Sequence, residues 1–96
     1  MNSGHIISIT ITVHIPFAHS LKEKRRHIKS IKDKIRQQFN ASIAEIDGLN
    51  EWQKSVLGIV MISNNRIYLE KQISAIENLV LQVHDIQLTG IDVEWL

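Results

Sequence analysis

Eight of the eleven basic residues, Lys22, Lys24, Arg25, Arg26, Lys29, Lys32, Lys34 and Arg36, lie between Lys22 and Arg36, against only two carboxylates, Glu23 and Asp33. Ammonium and guanidinium groups at this density attract phosphates or carboxylates without themselves performing a reaction. The segment carries a net +6. The rest of the chain has Lys54, Arg66 and Lys71 against eight carboxylates, a net −5, so the formal +1 of the whole conceals a dipolar molecule. On a helical wheel with Leu21 at zero, Lys32, Arg25, Arg36, Lys29, Lys22 and Arg26 fall at about 20, 40, 60, 80, 100 and 140°. These six form one flank and are the candidate nucleic-acid-binding residues, whereas Lys24 and Lys34 stand apart. An ordinary solvated helix face is the competing reading of the same charges.

The first turns of this helix hold Lys22, Lys24, Arg25 and Arg26, although free N–H groups and the macrodipole favour negative charge there. Either the cations flank an anion site at the helix start, or their long side chains reach water at small cost.

Other chemistry is poorly supplied. The chain has no cysteine, which excludes thiol nucleophiles, zinc–thiolate sites and disulfides. His5, His14, His19, His27 and His84 have no ligand spacing; only His14 and His19 are close, on either side of Pro16, and no metal is expected. Glu45, Asp47 and Glu51 cluster in sequence, and pairing with a basic surface, including the first helix of another subunit, is favoured over cation binding. No phosphate loop, nucleophile motif or dinucleotide fingerprint occurs. No base–nucleophile pair can be named, so neither catalytic residues nor a cofactor are expected. Trp52 reads as a packing anchor rather than a base-stacking platform, and the central strands lack the aromatic pairs on which RNA-recognition sheets stack bases.

The elements that must position these groups follow from periodicity. Ile7, Ile9, Ile11, Val13 and Ile15 alternate with Ser8, Thr10, Thr12 and His14, the pattern of a half-buried strand. Pro16 ends it, and Ser20-Leu21-Lys22-Glu23 has the form of a capping box. Leu21, Ile28, Ile31, Ile35 and Phe39 then mark a helical stripe. Residues 41–46 read as a weaker strand with a bulge or a strand end, because Ile43 and Ile46 differ in parity. Asp47-Gly48 opens a loop to Trp52, and Val56 to Ile62 is a strand apolar on both faces. Ser63-Asn64-Asn65 precedes a second helical stripe, Leu69, Ile73, Ile76, Val80 and Val83. A last strand from Ile86 to Trp95 changes parity across Gly90. The β-α-β-β-α-β order predicts one α+β domain over residues 1–96, a ferredoxin-like four-stranded antiparallel sheet with both helices on one face.

Ile15-Pro16-Phe17-Ala18-His19-Ser20-Leu21-Lys22-Glu23-Lys24-Arg25, followed in order by Phe39 to Asp47, Trp52-Gln53-Lys54 and Leu57-Gly58, resembles the bacterial YlxP-like family of unknown function. The Ser-Leu-Lys-Glu-Lys-Arg block is the most specific part, and the start Met1-Asn2-Ser3-Gly4 is longer than the family pattern. The resemblance implies a ferredoxin-like domain without established activity. It also implies, through the placement of similar genes among translation genes, an RNA or ribosomal partner by association alone.

These readings converge on a non-enzymatic accessory protein binding RNA or the ribosome through the basic helix. The rival is a homo-oligomeric protein-interaction module with no nucleic-acid role. The core is expected to join Ile7, Ile9, Ile11 and Val13 with Leu21, Ile28, Ile35, Ile73, Ile76 and Val80. The open sheet face is expected to carry Leu57, Ile59 and Met61 beside Ile6 and Thr10, with Ile91, Val93 or Trp95, and to close a twofold homodimer. No apolar run spans a bilayer and no basic n-region precedes Ile7, so a cytoplasmic location is expected.

Overall fold

The computed structural model describes residues 4–96, so Met1, Asn2 and Ser3 of the start expected to be longer than the family pattern lie outside the described residues. Its elements follow the expected order: β1 (His5–His14), α1 (Leu21–Gln38), β2 (Ser42–Asp47), β3 (Lys54–Ser63), α2 (Arg66–Leu81) and β4 (Gln87–Trp95). The sheet order is β2-β3-β1-β4 and every pairing is antiparallel, the arrangement of a ferredoxin-like α+β fold. The helix signals act as the sequence implies, with one difference. Ser20 Oγ accepts the Glu23 N–H at 3.1 Å, but the Glu23 carboxylate reaches back to the His19 N–H at 2.9 Å rather than to that of Ser20. Asn65 caps α2 by accepting the Tyr68 N–H at 3.1 Å.

Both parity changes are bulges. The β2–β3 register slips between Glu45 and Asp47, and the β1–β4 register passes from Thr12 opposite Gly90 to Val13 opposite Leu88. Thr89 is the residue left over, and its hydroxyl donates to the Thr12 carbonyl at 3.2 Å. The slip keeps both Leu88 and Ile91 on the helix-covered face, opposite Val13 and Ile11.

One apolar cluster lies between the sheet and the helices. Ile7, Ile9, Ile11 and Val13 meet Ile28, Ile31 and Ile35 of α1 and Leu69, Ile76 and Val80 of α2. Ile73 packs at its margin, whereas Leu21 is half-buried and lies outside the buried cluster. Ile28 is almost wholly enclosed, so Ile28→Ala is expected to cost ~2–5 kcal/mol in a denaturant melt, and a loss under ~0.5 kcal/mol would contradict its place in the core.

The expected assignment of the open face is overturned. Ile9 pairs with Ile59, Ile11 with Leu57 and Ile7 with Met61, and directly opposed residues in an antiparallel pair project to the same side. Leu57, Ile59 and Met61 therefore enter the core, at 0–2% exposure. Ile91, Val93 and Trp95 lie opposite Ile11, Ile9 and Ile7 and share the helix-covered face. The open face instead presents Ile6, Ser8, Thr10 and Thr12 opposite Ile62, Val60, Gly58 and Val56. Ile46 lies across Gly58, where an added Cβ would stand 3.1 Å from Ile46 Cγ2.

Candidate functional site

The basic residues divide according to their angle on α1. Arg25, Lys29, Lys32 and Arg36, at about 20–80° on the wheel, line a groove between α1 and β2 together with Ile28, Asp33 and Glu45. Arg26 faces further out, into a shallow depression shared with Lys29, Ser30, Asp33, Lys34 and Gln37. Lys34, expected to stand apart, thus joins Arg26 at one surface. Lys22 is exposed near the helix start and lines neither depression. From Arg25 to Arg36 the helix rises about 16 Å, so the cations form a ridge rather than a single pocket.

Two of them are already engaged. Lys29 Nζ lies 2.8 Å from Asp33 Oδ2 one turn on. That hydrogen bond, helped by the positive charges of Lys29, Arg36 and Lys32 and opposed by slight desolvation, holds the Asp33 carboxyl below the usual carboxylate range. Arg36 donates to the Ile43 carbonyl of β2 at 3.2 Å. β2 is an edge strand, so this bond both fixes the guanidinium over the groove and occupies an acceptor of the edge strand.

Lys24 has a different role from its neighbours. It is 1% exposed, its ammonium lies 2.8 Å from Glu45 Oε2, and it also donates to the Gly48 carbonyl. The buried Ser55 hydroxyl donates to the same Glu45 oxygen at 2.6 Å. Lys24 is therefore not a cation facing an external anion, and Glu45 finds its partner within its own chain rather than on another subunit. The hydroxyl, ammonium and carboxylate resemble catalytic types, yet Ser55 is 0% exposed, and a hydroxyl without access cannot meet a substrate.

The loops at this end of the sheet are tied together. Gln53 Nε2 donates to the carbonyls of Pro16 and Ala18 at 3.2 and 3.0 Å, and the Ile15 N–H donates to the Gln53 carbonyl at 2.9 Å. Gly48 turns the hairpin at φ +74°, a left-handed conformation costly for a side chain. Trp52 is not a packing anchor: it is 53% exposed, as Phe17 and Leu49 are 65% and 56% exposed. Sequence reasoning misses their exposure because apolar residues in short loops read as packing groups.

Among the described residues, no group of three or more His, Asp or Glu is arranged to hold a metal ion. His14 lies instead 3.3 Å from Gln87 Oε1 across the β1–β4 pair. No helix of the described residues is long and apolar enough to cross a membrane.

Fold and surface together define a small α+β domain of ferredoxin-like plan with a cationic ridge along its first helix. The chain belongs to the family described as "Protein of unknown function (DUF503)", which it matches over residues 6–93. It is 35% identical over 78 residues to the uncharacterized protein YlxP of Bacillus subtilis (strain 168), covering 81% of this chain and 85% of that protein.

Proposed function

We propose that this protein is a non-catalytic accessory factor of the cytoplasm that binds structured RNA, free or in the ribosome, through the α1 ridge. The observation that carries this reading is the convergence of Arg25, Lys29, Lys32 and Arg36 on one groove, with Lys22 and Arg26 exposed beside it. A ridge about 16 Å long meets several phosphates at once. Contacts of this kind read the shape and backbone of an RNA rather than its sequence. Replacing Arg25, Arg26 and Lys29 together by alanine is expected to weaken binding to a structured RNA while leaving the fold intact. For every phosphate that is no longer neutralised, the log–log salt dependence should flatten by roughly 0.7–0.9. Unchanged affinity and slope in a titration at several salt concentrations would leave the ridge as a solvated face.

A second reading is favoured by the open sheet face, where Ile46, Val60 and Ile62 are 55%, 43% and 62% exposed. A second copy of the chain covering that face would give the homodimer expected from the sequence, built on this set of residues rather than on Leu57, Ile59 and Met61. Sedimentation at micromolar concentration tests it, a monomer at all concentrations being the contrary result.

A further inference from the structure

We infer that the loop end beside the start of α1 binds unpaired nucleotides, with Phe17 and Trp52 stacking on the bases; this rests on the RNA reading of the α1 ridge. Both rings are more than half exposed, and their loops are held in a fixed relation. Gln53, next to Trp52, bonds the carbonyls on both sides of Phe17, and Lys24 ties Gly48 of the hairpin loop to α1. Loops braced in this way hold the backbone of both aromatic residues in position before a ligand arrives, which lowers the ordering cost of binding.

The charge around the rings fits a base attached to a phosphodiester. Lys22, Arg25 and Arg26 are exposed on the first turns of α1, immediately after the loop that carries Phe17. The end of β2 and the hairpin loop after it carry exposed Asp47 and Glu51, which repel phosphate. A strand running off the ridge would thus keep its backbone over α1 and turn its bases toward the rings. Aromatic side chains beside a cationic track are the usual apparatus for single strands, because every base offers a π-face. Exposed aromatic side chains serve protein interfaces as well; it is their place beside a cationic track that favours unpaired RNA as the occupant.

The test uses the full chain and two RNAs, a stem-loop with a single-stranded tail and the same stem without it, titrated by fluorescence anisotropy at one salt concentration and again over a salt series. Trp52→Ala and Phe17→Ala are expected to weaken binding of the tailed RNA by about 5- to 150-fold, the equivalent of removing one stacked base. Affinity for the untailed stem and both salt slopes should stay unchanged, and Trp52→Phe should retain most of the tailed-RNA affinity. Circular dichroism confirms folding of each variant. Tailed-RNA affinity insensitive to both alanine variants, or an equal loss on the two RNAs, overturns the inference while leaving the ridge reading intact. If wild type binds neither RNA, or the Arg25, Arg26, Lys29 variant binds both as wild type does, the reading of the ridge falls as well.

Discussion

Ile59→Lys is expected to abolish cooperative folding, whereas Val60→Lys, one residue on, is expected to melt close to wild type. Ile59 is 0% exposed and sits opposite Ile9 in the core. An ammonium placed there has no partner, and burying it costs several kcal/mol against a total stability of about 5–15 kcal/mol for a domain. Val60 projects to the other side, 43% exposed, where a lysine reaches water. The pair reads the sheet's two faces directly by thermal or denaturant melting. An Ile59→Lys variant that folds while Val60→Lys does not would invert the assignment. Val60→Lys also probes self-association, since a folded monomer from a dimeric parent would locate the interface on the open face.

The second large effect is expected at Lys24. Lys24→Met removes the partner of a Glu45 carboxylate that is only 17% exposed, and breaking a buried pair from one side costs ~3–5 kcal/mol. The lower end applies here, because Glu45 keeps some exposure to water and the Ser55 hydroxyl still donates to it. Replacing both charges, Lys24→Met with Glu45→Leu, should recover only part of the loss, because no uncompensated charge is left but the buried Ser55 hydroxyl loses its acceptor. A single-variant loss below ~1 kcal/mol in urea unfolding would show the pair to be solvated in solution. By contrast Lys22→Met, on the exposed side of the same turn, should leave stability nearly unchanged.

Lys22 and Lys24 show how far the sequence can be read. The wheel separates Lys24 from the six flank cations, but its burial depends on where β2 and its hairpin come to rest against α1. That is a tertiary fact with no local signature. The Ser20-Leu21-Lys22-Glu23-Lys24-Arg25 block, the most specific part of the family resemblance, turns out to be largely architectural. Ser20 and Glu23 cap the helix and Lys24 anchors the hairpin, leaving Lys22 and Arg25 available to a ligand. Helices, element order and the bulge near Gly90 are legible because they follow from period and parity, whereas the parity change in β2 is equally that of a strand end. The choice of face in β3 is not legible, since Val56 to Ile62 is apolar on both sides and only its register with β1 decides between them. The expected core on β1 carries the answer in principle, as Ile9 draws whichever residue pairs with it to its own side. The groove itself is half visible, through the 20–80° sector of the wheel, while the exposure of Phe17 and Trp52 requires the loop geometry set by Gln53.

The most direct measurement is a pull-down with the tagged full-length protein from lysate, run with and without ribonuclease, with the co-purifying nucleic acid and protein quantified side by side. RNA binding by the α1 ridge predicts that RNA, together with any ribosomal proteins it carries, is recovered from untreated lysate, disappears on nuclease treatment, and falls sharply for the Arg25, Arg26, Lys29 triple-alanine variant. Recovery of the same protein partner at the same yield from treated and untreated lysate, without RNA, would contradict it.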